Sequence, residues 1–414
     1  MFISVDSWTT LGLNRKRSAM STRYNRCMRR IIAVIVWMIA SSSFAQSSFR
    51  TYGFLTLREI YVKAQPSWST GGWGRFDVGA ANADAHKTVN VDVLQLGVDW
   101  TPTTWLLLHT DGLARREQSG TVGRRVGIVQ AYGEVHTEKF RVRGGLFWFP
   151  TSLENVDPLW NSRYTISNSA LNSWIGQEVR PIAADVQFSP NFYFTIGATA
   201  FRGNDTMGSE LAARGWTIGN RLSVYDEVIA SVPDTTRPIG PDVDNRIGDS
   251  ERIRVQIPER ALLQFTHIDN RAHLLLREAP ETPWRTKFDV VGAQLGTTGP
   301  TTVAAEWAYG STQLGFPGGS FTMDFDTVYV LLSQKRGPSR WSARIERFTT
   351  NDHRRKANDI NRERGSALTL SYLRDSSKSV RTGLEYIHAK GDRLAAPDPH
   401  TSGSTITLEL RYRF

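Results

Sequence analysis

Thr405-Ile406-Thr407-Leu408-Glu409-Leu410-Arg411-Tyr412-Arg413-Phe414 decides the fold class. Ile406, Leu408, Leu410, Tyr412 and Phe414 alternate with Thr405, Thr407, Glu409, Arg411 and Arg413. A period of two is a strand with one apolar and one polar face. Working back along the chain, Val380, Leu384 and Tyr386 oppose Arg381 and Glu385, and Leu368, Leu370 and Tyr372 oppose Thr369 and Ser371. Trp341, Ala343 and Ile345 oppose Arg340, Ser342 and Arg344; Val303, Ala305, Trp307 and Tyr309 oppose Thr302, Ala304 and Glu306. Phe140, Val142, Leu146 and Trp148 oppose Arg141 and Arg143. Two segments change phase, Val89, Val91 and Val93 to Leu94, Leu96, Val98 and Trp100, and Phe321, Met323 and Phe325 to Val328, Val330 and Leu332, which predicts a β-bulge in each.

The connections sort by length. Short ones are predicted at 102–104, 137–139, 189–191, 269–270, 296–300, 335–339 and 375–378. Longer ones are predicted at 64–87, 117–121, 151–177, 203–251, 279–283, 310–319, 351–365 and 390–402. Strict alternation of the two kinds gives an all-β, transmembrane antiparallel β-barrel of about 16 strands, with short periplasmic turns and long extracellular loops. Residues 252–278 are the weakest strands, so the parity argument also admits 14 or 18. Aromatics make 11% of the chain, and several flank short turns: Trp100 with Trp105, Phe188 with Phe192 and Tyr193, Tyr132 with Phe140. Such rings form an interfacial girdle. A soluble sandwich would hold fewer strands and would not sort its loops so regularly.

Composition agrees with this class. An apolar fraction of 40% excludes disorder, and no uninterrupted apolar run of about 18 residues exists to make a membrane helix. The net charge of +10 falls to +4 without residues 1–45, so nucleic-acid binding loses its main support. That stretch carries Met28-Arg29-Arg30, the apolar run from Ile31 to Ala40, and Ser43-Phe44-Ala45, which reads as a secretory signal cleaved before Gln46. Translation from Met20 or Met28 would serve equally. The single cysteine, Cys27, lies in the leader, so residues 46–414 hold no disulfide framework, thiol nucleophile or thiolate metal site.

Energy assigns the faces. An arginine at the bilayer midplane costs about 2–4 kcal/mol, so the charged faces must look into a wet interior. A barrel of 16 to 18 strands is wide enough for an aqueous channel. The predicted lining residues are Arg141, Arg143, Arg163, Glu306, Arg340, Arg344, Glu346, Arg381, Glu385, Glu409 and Arg411. The arginines either form a ladder that selects anions, or pair with the glutamates and brace the wall.

The signal, the alternating strands, the loop rhythm and the terminal Leu410-Arg411-Tyr412-Arg413-Phe414 resemble a Gram-negative outer-membrane porin. The terminal aromatic resembles the tag read by the barrel-assembly machinery of that group. Within the group the layout is most similar to the phosphate-selective porin O and P family. That resemblance implies a trimeric anion channel surrounded by lipid and lipopolysaccharide, with a third long loop folded into the lumen. The matching loop is Thr151 to Gln177, carrying Trp160, Arg163, Tyr164 and Trp174. The sequence departs from the family where selectivity is set, because this loop offers Arg163 against Glu154 and Asp157 rather than clustered Lys and Arg.

Other chemistries find less support. Asp242-Val243-Asp244-Asn245 resembles the opening of a calcium loop, but Arg246 sits where an oxygen ligand belongs; a solvated acidic loop is the better reading. None of the eight histidines lies in a catalytic run, and no HExxH, GxSxG or P-loop pattern occurs. The expected function is passive passage of small hydrophilic solutes or ions, with an anion preference, no catalytic residue, no metal and no cofactor. The alternatives are an outer-membrane hydrolase and an adhesion or structural barrel plugged by 203–251.

Overall fold

The computed structural model describes residues 48–80, 85–232, 235–274, 282–316, 319–353 and 362–414. The predicted leader and Cys27 lie outside the described residues. Strands β1 (Ser48–Lys63), β2 (His86–Thr103), β3 (Leu106–Arg116), β4 (Val126–His136), β5 (Phe140–Leu146), β6 (Ile182–Phe188) and β7 (Phe194–Arg202) form one run of the wall. A small separate hairpin follows, β8 (Val228–Ser231) and β9 (Thr235–Pro238). The wall resumes with β10 (Ile247–Ile257), β11 (Ala261–Asp269), β12 (Trp284–Leu295), β13 (Thr301–Phe316), β14 (Gly319–Arg336), β15 (Ser339–Asp352), β16 (Glu363–Asp375), β17 (Val380–Arg393) and β18 (His400–Arg413). Sixteen strands close antiparallel, β7 pairing with β10 and β18 with β1, where Leu57 faces Leu410. No described helix is long and apolar enough to cross a membrane.

Alternation places the faces as the side-chain energies require. Leu55, Leu57, Leu408 and Leu410 are exposed on the outer wall, while Arg58, Glu409 and Arg411 between them are buried inside. At the short-turn end, Trp105, Phe140, Phe192, Tyr193, Trp341, Tyr412 and Phe414 are exposed, and Phe140 stacks on Phe188 at 4.7 Å. Tyr132 leaves this girdle and turns inward, against His109 at 4.7 Å. The cause is a register shift where Asp111 faces Gln130 but Gly112 faces Ile128, which puts one extra residue into β4.

Both predicted bulges are absent: β2 pairs with β1 in unbroken register from His86 to Thr101, and β14 does the same with β13. Phe321, Met323 and Phe325 point inward with Thr327 and Tyr329, and Val89 points inward with Gln95. The apolar residues change sides because the inner face near the long-loop end packs on protein rather than water. The same effect extends the strands: β13 and β14 run through the predicted loop at 310–319 and leave only 317–318 between them.

One turn is displaced. The short connection lies at 258–260, not 269–270, so 252–268 is two strands rather than one, β11 ends at Asp269 and β12 begins at Trp284. Pro258 lacks the N–H for the ladder, Glu259 adopts φ 62°, and the Arg260 N–H donates to the Ile257 carbonyl at 3.1 Å. The strand count survives because one boundary moved and none was lost.

Candidate functional site

Three long loops enter the lumen. The loop after β5 begins with Phe147-Trp148-Phe149, all buried, and contains helix α1 (Ala170–Glu178), every residue of which is buried. Ser169 caps α1, its hydroxyl accepting the Asn172 N–H at 3.2 Å. The loop after β7 contains α2 (Ser209–Arg214) and the β8–β9 hairpin. The loop after β1 inserts Arg75 and Phe76, and the Ile218 N–H donates to the Arg75 carbonyl at 2.7 Å.

An apolar cluster binds these loops to the β12–β15 wall. Trp174 lies 4.9 Å from Phe288, 5.2 Å from Phe325 and 5.9 Å from Trp216, ring to ring. Trp160 stacks on Trp148 at 4.6 Å and 15°, and takes a left-handed backbone with φ 50°. A non-glycine residue held there persists only where its surroundings fix it. Trp216 donates its indole N–H to the Thr349 carbonyl at 2.9 Å.

Four predicted lining residues are brought together as anchors of the α1 loop. Glu306 accepts the Leu153 N–H at 3.0 Å, the Asn172 amide at 3.1 Å and the Tyr329 hydroxyl at 2.5 Å. Glu346 accepts the Ala170 N–H at 2.7 Å, and Glu385 accepts those of Ile166 at 2.6 Å and Ser167 at 2.8 Å. Arg344 pairs with Glu154 and, at 2.8 Å, with Glu346, and it donates to the Ser167 and Asn168 carbonyls at 3.0 and 2.9 Å. The free N–H of Ala170 at the start of α1 gives Glu346 its partner, while Glu385 takes backbone N–H groups of the loop before the helix. Glu306, Arg344, Glu346 and Glu385 are therefore buried beneath the loop rather than bathed by the lumen. Neither Glu306 nor Glu385 pairs with an arginine among the described residues.

The other predicted residues fall into separate places. Glu409 holds Arg381 at 2.9 Å, Arg411 at 3.2 Å and Arg58 at 3.0 Å. Arg143 pairs with Glu134 at 2.7 Å, and Arg141 lies 3.9 Å from the same carboxylate. Arg163 is exposed on the loop and pairs with Asp157 at 3.0 Å; Arg340 donates to the Ser333 hydroxyl at 2.7 Å and lies over the Tyr164 ring.

Sequence reasoning missed Arg58, Asp77, Arg115, Arg221, Arg252 and Arg254. Arg252 and Arg254 sit in the stretch where the turn was displaced, and Asp77, Arg115 and Arg221 gain meaning only when loops meet. Two spaces involve these residues. At the short-turn mouth, a vestibule of about 460 Å³ is lined by Lys139, Arg141, Arg252 and Arg254 against Glu138. Arg252 leans on Asp185 at 3.3 Å; Arg254 forms no ion pair among the described residues. Deeper, on the β1–β3 side, a cavity of about 50 Å³ lies between the wall and the inward loops, lined by Arg58, Asp77, Arg115, Arg221 and Arg411 among others. His109 is held by Asp99 at 2.6 Å and Asp111 at 3.1 Å.

The loops also carry titrating groups. Glu178 accepts the Trp174 indole N–H at 2.5 Å and the Glu210 N–H at 3.1 Å; burial, then the charge of Glu210, pushes its carboxyl up to about 7. Asp205, Asp242 and Asp244 approach within 4.8 Å, which the sequence did not reveal for Asp205. Their oxygens already accept the N–H groups of Val243 at 2.6 Å, Asn245 at 2.9 Å and Arg246 at 2.8 Å, and Arg202 pairs with Asp242 at 2.7 Å. The cluster shapes a turn.

On the outer wall, His388 Nδ1 lies 3.0 Å from the Ser404 hydroxyl. No carboxylate forms an ion pair with His388 among the described residues, so no third group orients the imidazole as a hydrolytic triad requires.

Sequence comparison finds no matching family and no curated relative. Solved structures do match. The outer membrane channel DcaP of Acinetobacter baumannii is similar with TM-score 0.58 and 13% identity, covering 90% of this chain and 99% of that one. An anion-selective porin from Comamonas acidovorans gives TM-score 0.54 at 13% identity, covering 89% and 100%. OmpT, an outer membrane protein of Vibrio cholerae, gives TM-score 0.53 at 10% identity, covering 90% and 99%. At these identities the likeness is one of fold: the chain is a closed 16-stranded antiparallel β-barrel of the outer-membrane type.

Proposed function

We propose that the chain is a passive diffusion channel of the outer membrane for small hydrophilic solutes and ions, with a preference for anions. The observation that carries this reading is the vestibule, where Lys139, Arg141, Arg252 and Arg254 face Glu138. Adding Arg143 and the carboxylates behind, Glu134 and Asp185, still leaves the mouth positive. Rings of Arg and Lys of this kind favour anions in pores. The α1 loop, clamped by Glu306, Arg344, Glu346 and Glu385, is the constriction. It confines passage to the β1–β3 side, past Arg58, Arg381 and Arg411. The third loop lacks the basic cluster of the phosphate-selective porins, so the preference is for anions generally. The outer wall meets lipid and lipopolysaccharide, and the terminal Phe414 addresses the barrel-assembly machinery. Assembly is as a homotrimer, as in the trimer form of the Vibrio cholerae OmpT, one of the matched structures.

Swelling of liposomes that contain the refolded chain tests the reading: arabinose enters faster than raffinose, and neither enters control liposomes. One observation favours a second reading. The loop after β7 lays Met207, Leu211, Trp216 and Leu222 in the buried cluster, as a plug would. A folded barrel that admits no sugar would establish the plug instead. Among the described residues the serine–histidine pair open to the hydrolase alternative is Ser404 and His388, and Ser404→Ala would abolish phospholipid cleavage if that pair acted.

A further inference from the structure

We propose that the outer wall of β15–β18, at its long-loop end, binds the phosphate of an outer-leaflet lipid. This rests on the reading that the outer wall meets lipid and names a site on it; the lumen plays no part. A shallow depression of about 480 Å³ opens there, lined by Arg347, Arg364, Ser366, Lys390, His400 and Ser402 among others. Alternation sets these side chains outward, because Phe348, Glu363, Ala367 and Ala389 beside them are buried inside. The register brings them together: Arg347 faces Ser366, Ser366 faces Lys390, and Lys390 faces Ser402.

Charge does not cancel here. Arg347, Arg364 and Lys390 form no ion pair among the described residues. Asp392 faces Arg364 in the register but turns to the His400 imidazole, at 2.7 Å. Asp326, diagonal to Arg347 on β14, accepts the Trp307 indole N–H at 2.5 Å. Within the depression, three cations against Asp392 leave two positive charges before His400 is counted. The Ser366 and Ser402 hydroxyls make no hydrogen bond within the protein among the described residues.

Below the depression the same wall is apolar, with Ile345, Leu370, Tyr386 and Ile406 exposed. Cations on a lipid-facing wall are costly at the midplane and tolerated at its edge, where their stems reach the headgroups. The partner that fits combines a dianion with hydrocarbon. A phosphomonoester carries about two negative charges and three acceptor oxygens, enough for the cations and both hydroxyls. Its acyl chains would lie along the apolar wall. A lone carboxylate supplies half the charge, and a soluble anion leaves the hydrocarbon surface unused.

Native mass spectrometry of the refolded chain in detergent, titrated with lipid A (the phosphorylated anchor of lipopolysaccharide), reads the site directly. Dephosphorylated lipid A and phosphatidylcholine are expected to bind about tenfold more weakly than lipid A. Arg364→Gln and Lys390→Gln are each expected to weaken lipid A about fivefold, the worth of one cation near an anionic membrane surface. Lys287→Gln, which removes an exposed cation from β12, is expected to leave it unchanged. All three variants are expected to keep the KCl conductance and the heat-shifted gel mobility of the folded barrel. Equal affinity for lipid A and phosphatidylcholine, or an equal loss in Lys287→Gln, would overturn the proposal. Displacement of lipid A by inorganic phosphate would make the depression an ion site and overturn the lipid. A barrel that holds lipid A but conducts nothing would support the site and end the channel reading instead.

Discussion

Arg344 is the residue on which the lumen depends most. It is fully buried and joins Glu154 on the loop to Glu346 on the wall. Removing one member of such a group leaves its partners charged, buried and uncompensated, a loss of about 3–5 kcal/mol. Arg344→Met is therefore expected to release the α1 loop, raising single-channel conductance and lowering the temperature at which the barrel shifts mobility in gels. Glu178 sets a pH dependence at the same scale. Its carboxyl is raised from 4.5 to about 7, so the folded loop holds more protons than the unfolded chain between these values. The stabilisation is fully present below about 4.5 and is lost as pH rises through about 7. Tryptophan fluorescence of the folded chain is expected to report loosening of α1 from α2 between pH 6 and 8, and Glu178→Gln is expected to flatten that transition.

The elements show what sequence can and cannot carry. Strands in lipid obey a rule that reads locally, apolar out and polar in, so β5, β13 and β15 to β18 are legible from alternation alone. Their boundaries are less so. β13 and β14 extend through a predicted loop because Phe321, Met323 and Phe325 bury inward on the α1 loop, a contact that alternation cannot foresee. The two phase changes looked like bulges for the same reason: the period stayed at two while the environment of one face changed. The register shift beside Asp111 and Gly112 leaves no apolar signature because Gln130 and Tyr132 lie on the face it shifts. The anchors Glu306, Arg344, Glu346 and Glu385 were legible as inward charges, but not their partners, which are loop N–H groups. The pairing of α1 with the wall is itself testable. Trp174→Ala removes ring contacts to Trp216, Phe288 and Phe325, a loss of about 3–5 kcal/mol. Trypsin is expected to cut the variant within 151–180 while the wall stays intact.

At the scale of the whole molecule, a wide barrel is turned into a narrow and asymmetric passage. Sixteen strands enclose more space than the described lumen leaves open, and the difference is filled by the loops after β1, β5 and β7. The apolar cluster runs round much of the inner wall, from Ile60, Val89 and Leu113 to Phe288, Phe325 and Ile387, while the charged vestibule opens at the short-turn end. On the proposed function the arginines of the vestibule govern ion choice, and replacing Arg252 and Arg254 with glutamine is expected to move the permeability ratio toward potassium, read as a shift in reversal potential. The proposed function requires that this narrowed lumen be open and favour anions. Single-channel recording of the refolded chain residues 46–414 in a planar bilayer, under a KCl gradient, is the most direct check. Stable ohmic steps with a chloride-favouring reversal potential are expected; a folded, heat-modifiable barrel that conducts nothing, or one whose potential favours potassium, would contradict the channel.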